Sequence, residues 1–412
     1  MTTEATLEAG FDPTDPDVMS EGVPHEEMLR LRRTAPVSWV TQTEAALAGF
    51  PGHEGYWALS KHEDVAAVSK NSTDFSTREN GVIIRFAPDM DREGVEQSNF
   101  LLINHDAPEH TKLRKIVSRA FTPRAIGSLH DELKARAESI VAEALAKGEG
   151  NFVEDVAAEL PLQAIAELLG VPQEDRGKLF EWSNQMLSYD DPEVEGDQMV
   201  AFMEILAYSM AMADERRKEP REDIITRLVS ADVDGRGLTD DEFGFFMILL
   251  AVAGNETTRN AITHGMHAFM ENPDQWELFC KERPKTTADE IIRWATPVTV
   301  FQRTALNDVE VGGVQVAKGA RVGLLYASAN FDEDVFEDPF RFDITRDPNP
   351  HQAFGGHGAH YCIGANLARL EVDLMFNAIA DAGMKVTQLG EPRKLRSSWI
   401  NGVKELKVRY ER

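Results

Sequence analysis

Phe354-Gly355-Gly356-His357-Gly358-Ala359-His360-Tyr361-Cys362-Ile363-Gly364 runs directly into an apolar helical pattern: Ala365, Leu367, Ala368, Leu370, Val372, Leu374 and Met375. One cysteine therefore closes a glycine loop and opens a helix. Glycines let a backbone approach a flat ligand and accept positive φ. A helix N-terminus offers free N–H groups and partial positive charge, which lower a thiol pKa. Both features suit a thiolate. Two plainer readings compete. A lone cysteine is usually a small buried hydrophobe. His351, His357, His360 and Cys362 also supply zinc-type donors. Structural zinc sites, however, favour paired cysteines at regular spacing, and neither plainer reading uses the glycines.

The loop, with His360 two residues before the cysteine and Gly364 two after it, resembles the haem-binding loop of the cytochromes P-450. The resemblance implies haem b (iron protoporphyrin IX) with Cys362 as thiolate axial ligand. Phe354, Gly355, His360 and Gly364 would cradle it. The haem loop is then 354–364.

Working outward, the 412 residues show no Ser/Gly linker, low-complexity tract or internal repeat, which favours one large domain over 1–412. Apolar residues make up 42 %, enough for a sizeable core. A net charge of −27 argues against a nucleic-acid binder or an anionic-membrane binder. Two cysteines, Cys280 and Cys362, give no disulfide framework, so a reducing cytoplasm is expected. Residues 1–10 carry no basic n-region or apolar h-region, and no long apolar run suggests a transmembrane segment.

Val37–Val40 and Tyr56–Ser60 read as strands, with turn residues Gly49, Pro51 and Gly52 between them. Ser60 is the expected N-cap of the next helix, with Glu63 three residues on. Asn80–Asn99 reads as a loop whose Ile83 and Phe86 form a binding wall. Between Lys112 and His130 there is no acidic residue, but there are Lys112, Arg114, Lys115, Arg119 and Arg124. Such a run is either a solvated helix face or a docking surface for an acidic protein. His110 and Arg114 share one helical face, and by resemblance they hold haem propionates.

Thr239-Asp240-Asp241-Glu242 is a capping box that opens the longest helix, which Pro273 ends. Its length of about 50 Å crosses the whole molecule. Its centre is apolar nearly all round, yet holds Ala253-Gly254-Asn255-Glu256-Thr257-Thr258. Gly, Asn and Thr are poor mid-helix residues and a buried carboxylate needs partners, so a functional site is expected. The segment resembles the family's oxygen-activation groove. By that resemblance, Ala253 and Gly254 leave room for dioxygen, while Glu256 and Thr257 relay protons as the catalytic pair.

Further matches follow in the family's order. Glu290 and Arg293 form E-x-x-R, and Phe336–Phe342 carries F-x-x-P-x-R-F. The resemblance implies a structural network of Glu290, Arg293 and Arg341, since a carboxylate accepts bidentate guanidinium bonds. Val298–Ala305 alternates like a strand, and Val309–Leu325 reads as two more. This makes 37–60 and 298–325 the β-rich parts. Arg303 matches a propionate position. Met186, Val298, Val300 and Trp399 would join Ile83 and Phe86 against the substrate. Asn401-Gly402 reads as a two-residue hairpin turn.

The resemblance implies a mainly α fold with small β-sheets (α+β). It also implies a monooxygenase fed from NAD(P)H through a ferredoxin reductase and a ferredoxin. Ala288–Phe301, Ser328–Asp332, Arg346–His351 and Gly358–Arg369 look most like actinobacterial hydroxylases of sterol side-chain terminal methyls. The substrate would then be cholesterol or cholest-4-en-3-one. Hydroxylases of branched-chain or isoprenoid lipids and fatty acids share these segments. Other haem-thiolate chemistry would lack the acid–alcohol pair, and a non-catalytic haem sensor would need an output surface.

Overall fold

A computed structural model describes residues 10–47, 54–86, 92–221, 224–231 and 237–412. The first nine residues and the turn expected around Gly49, Pro51 and Gly52 lie outside them. Helices dominate, and the strands form small sheets. The largest is five-stranded, in the order Val37–Thr41, Gly55–Leu59, Arg321–Leu325, Val300–Ala305, Phe75–Ser76. Only the Gly55–Leu59 and Arg321–Leu325 pair is parallel. The Val309–Leu325 region holds three strands rather than two, because Gly312 and Gly313 close a separate ribbon of Val309–Val311 with Val314–Val316.

The central helix, Asp240–Glu271, organises the core. It starts at the expected capping box: Thr239 Oγ1 accepts from the Glu242 N–H at 3.2 Å, and Glu242 Oε2 accepts from the Thr239 N–H at 2.9 Å. Pro273 then opens the next helix instead of extending this one. Phe269, near its end, packs among Trp276, Phe279, Phe342 and Phe376, with ring centroids 5.1–5.7 Å away. These aromatic contacts fix the central helix against Ala365–Asp381, the helix that follows the cysteine loop.

Three local expectations are corrected. The helix after the second strand is His62–Lys70, one residue late for Ser60 to cap it. Its first N–H donates instead to Asp332 Oδ2 at 2.8 Å, while Ser60 Oγ bonds Pro36 O at 3.1 Å. Part of the 80–99 stretch is helical, at Arg92–Ser98. Asn401-Gly402 is not a two-residue turn. Arg393–Lys394 pairs with Val403–Glu405, so the hairpin loop is wider. Asn401 is drawn off by Ala295 and Pro297, whose carbonyls accept its Nδ2 at 2.6 Å and its N–H at 2.9 Å.

Candidate functional site

The cysteine loop is a tight curl. Positive φ at Gly355 (93°), Gly356 (65°) and His357 (59°) turns the backbone, and the Cys362 N–H donates to Phe354 O at 2.9 Å. Gly358 lies so close to the preceding layer that a Cβ there would sit 1.7 Å from Ser69 O. No larger residue fits without moving the loop off helix His62–Lys70. Gly364 caps the following helix. The Cys362 side is accessible, yet burial raises its thiol pKa. Together these place the sulfur on the wall of an internal space. The lowering expected from the helix terminus is therefore outweighed. The Gly364 N–H, Arg114 and Arg369 pull the pKa down but do not overcome burial. Full ionisation here calls for a bound cation, since a coordinated thiol loses its proton outright.

Along the central helix the burial is broken at Ala253, which is exposed mid-helix with buried Ala251, Asn255 and Glu256 on either side. Thr257 is half-buried, and its Oγ1 donates to Ala253 O at 2.7 Å. That bond takes up the carbonyl four residues back and loosens the helix locally. Glu256 is buried. It pairs with Arg259 and accepts from Asn260 Nδ2 at 2.8 Å. Asn260 Oδ1 in turn accepts from the Val403 N–H at 3.0 Å. Gly254 does not face the same space as Ala253. A Cβ there would lie 2.4 Å from Ile165 Cδ1, so this glycine admits the neighbouring helix Glu159–Leu169.

A collar of donors lies beside the cysteine loop. The His110 and His360 rings are 4.1 Å apart. Burial, then the nearby Arg114 charge, lowers His110 to about 4. Burial, then Arg303, lowers His360 to about 2. Arg303 is buried; its Nη1 donates to the carbonyl of Gln302 at 2.7 Å, and the Tyr326 hydroxyl and the Asp106 charge lie near enough to act on it. Arg114 donates to Tyr361 O. Among the described residues neither guanidinium has a carboxylate partner, and His110 Nε2 has no hydrogen bond. Two guanidiniums outside any ion pair and a free ring nitrogen fit a dianionic ligand such as the two propionates of haem. With the accessible sulfur, they fit that cofactor as a set. His105, whose ring nitrogens are also buried without a good side-chain bond, belongs to the same neighbourhood and was missed from sequence.

Four of the six expected substrate residues come together. Ile83, Val298, Val300 and Trp399 share an apolar cluster with Leu187, Tyr189, Val252 and Phe301. Val252 adjoins Ala253, so this cluster reaches the gap in the central helix. Its polar feature is Trp399 Nε1 donating to Tyr189 OH at 3.1 Å. Phe86 is not a member: its ring lies under the Arg321 guanidinium, 5.2 Å away. Met186 stays outside too, and its carbonyl accepts from Gln198 Nε2 at 3.3 Å. Tyr189, Val252 and Phe301 carried no motif that would single them out.

The structural network is also corrected. Glu290 and Arg293 form a buried bidentate pair, with both bonds at 2.8 Å. The third member is Arg346, whose Nε lies 3.2 Å from Glu290 Oε2. Arg341 is exposed and supplies only its carbonyl, which accepts from Arg346 Nη2 at 2.9 Å. A surface groove of about 580 Å³, lined by Glu159, Arg176 and Phe180 among others, contains none of the motif residues.

Residues 285–380 match the family described as Cytochrome P-450. A "Steroid C26-monooxygenase" of Rhodococcus jostii (strain RHA1) is 64 % identical over 99 % of this chain and 86 % of its own length. One of Mycobacterium tuberculosis (strain ATCC 25618 / H37Rv) is 58 % identical over 98 % of this chain and 93 % of its own. Among solved structures, a Mycobacterium marinum cytochrome P-450 in complex with pseudoionone superposes with a TM-score of 0.87. It is 36 % identical and covers 93 % of this chain and 94 % of that one.

Proposed function

The chain belongs to the cytochrome P-450 family, and we propose that it hydroxylates a terminal methyl of a sterol side chain. The observation that carries the chemistry is the accessible Cys362 thiol and the accessible gap at Ala253, beside Arg114 and Arg303, neither of which is ion-paired with a carboxylate among the described residues. Bound haem supplies dioxygen activation and the transfer of one oxygen atom into a C–H bond, the other leaving as water. Cys362 would ligate the iron, and His110, Arg114, Arg303 and His360 would hold the propionates.

The remaining work belongs to the chain. Thr257 keeps a hydroxyl at the gap beside Ala253, where a proton is needed. Glu256 is engaged by Arg259 and Asn260, so proton delivery from it requires that clamp to open. The cluster of Ile83, Val298, Val300 and Trp399 excludes water and binds apolar surface at about 25 cal/mol per Å². With few directional contacts, wall shape must orient the substrate.

The sterol assignment rests on the two named relatives and on this apolar wall. Exposed Lys112, Lys115, Arg119 and Arg124 support docking of an acidic ferredoxin, reduced in turn from NAD(P)H by its reductase. Titrating the holoenzyme with cholest-4-en-3-one and with a branched fatty acid tests the choice. A larger and tighter Soret change with the sterol is expected. A response to the fatty acid alone would reject the sterol.

A further inference from the structure

Residues 80–86 supply Ile83 to the apolar wall but lie outside every strand, so their backbone carbonyls need partners from elsewhere. Two residues answer four of them. The Gln302 N–H donates to Val82 O at 2.8 Å, and Gln302 Nε2 donates to Asn80 O at 2.9 Å and to Ile83 O at 2.8 Å. Arg321 Nη2 donates to Ile84 O. The two side chains are joined, Arg321 Nε donating to Gln302 Oε1 at 2.8 Å. Across the strand pair Gln302 stands opposite Gly323, and Arg321 lies two residues before that glycine, so all three share one face of the sheet. Gly323 keeps the face open: a Cβ there would lie 2.7 Å from Ile84 Cδ1. Arg321 is 1 % exposed and has no ion pair among the described residues. Its Nη1 donates to Gln42 Oε1 at 2.9 Å, and the Tyr56 and Asp12 side chains act on its charge. Burial lowers its pKa to about 10, so it stays charged at neutral pH. A buried charge is costly, and an apolar side chain of similar volume would fill the space more cheaply. A planar guanidinium does what that side chain could not: it fixes oxygens of three separate segments at set angles.

We propose that Arg321, together with Gln302, sets the position of the substrate wall. The pair clamps residues 80–86 so that Ile83 stands against Val298, Val300 and Trp399, and the placement of Ile83 decides which substrate carbon is presented. Arg321 acts through Ile83 and is a positioning residue. An apolar wall offers few directional contacts of its own, so its shape must be fixed from behind, and this polar clamp fixes it. The clamp stands on geometry alone, whereas its effect on the position of hydroxylation rests on the hydroxylase reading.

Hydrogen exchange of the holoenzyme tests the clamp without turnover. In Arg321→Met, exchange over residues 80–86 should quicken several-fold while the ferrous carbon monoxide band stays as in wild type. Unchanged exchange overturns the clamp. Product analysis with cholest-4-en-3-one then tests the positioning. Arg321→Met and Ile83→Ala should each weaken the substrate-induced Soret change several-fold and spread hydroxylation to neighbouring side-chain carbons. Because both act through one wall, the double variant should be no worse than Ile83→Ala alone. Additive effects, or a product pattern that Arg321→Met leaves unmoved, overturn the positioning role and leave Arg321 a structural residue. If Arg321→Met does not fold, Gln302→Leu must meet the same criteria, and unchanged exchange and products there overturn the proposal equally. Should the wild type hydroxylate only a fatty acid, the sterol reading fails by itself, and the same cycle read on that product decides the clamp separately.

Discussion

Cys362 sits where burial opposes its ionisation, so the thiolate depends on the cation it binds. The ferrous carbon monoxide complex should show the red-shifted Soret band of thiolate ligation, and Cys362→Ser should lose it. Thr257→Ala should still bind substrate and consume NAD(P)H. Its oxygen should end as hydrogen peroxide, with product formation down about 10²–10⁴-fold. Full coupling in that variant would remove Thr257 from proton delivery. Glu371 makes a further prediction, about stability. Folded, it keeps its proton to about pH 8. Unfolded, it loses it near about 4.3. Between those values the folded state holds the extra proton, so stability falls as pH rises and levels off above the folded pKa. Denaturant titrations of Glu371→Gln should lose that slope. At this scale the sequence showed residues that break local rules: a cysteine among glycines, polar residues in an apolar helix. It did not show Arg346 or Glu371. Each reads as an ordinary surface charge until the fold places it inside.

Among elements, the acidic turn after helix Arg176–Leu187 is tied to the C-terminal segment. Asp190 Oδ2 accepts from Ser398 Oγ at 2.8 Å and from the Ser398 N–H at 3.0 Å, and Lys404 Nζ meets Asp191 at 2.8 Å and Glu193 at 2.7 Å. These ties hold Tyr189 against Trp399. Lys404→Ala should cost about 1–3 kcal/mol, because Asp191 is buried and keeps its charge without the partner. Hydrogen exchange should quicken over 188–194 and 396–400, and unchanged exchange would mean that the turn is held by its backbone bonds alone. Gly254→Ala tests the other correction. The new methyl meets Ile165 and should destabilise by about 1–3 kcal/mol, with Ile165→Val restoring most of the loss. The central helix was legible from its capping box and apolar run. The Asn-Gly turn was not, because distant carbonyls at Ala295 and Pro297 claimed Asn401.

Taken whole, the protein is strongly acidic, with net charge −27, yet presents a basic face at Lys112, Lys115, Arg119 and Arg124. Lys112→Glu with Lys115→Glu should slow electron delivery from an acidic ferredoxin at low salt and leave the haem spectrum alone. The difference should shrink at 1 M salt, where the Debye length is about 3 Å. The order of motifs along the chain revealed the family and the mainly helical fold. Wall composition was only partly legible, since Phe86 and Met186 are apolar residues whose partners depend on packing. The most direct measurement is turnover of cholest-4-en-3-one by holoenzyme with ferredoxin, reductase and NAD(P)H, with products identified by mass spectrometry. A sterol hydroxylated at a terminal side-chain methyl is the predicted result. An unmodified side chain, alongside hydroxylation of a fatty acid or branched isoprenoid under the same conditions, would contradict it.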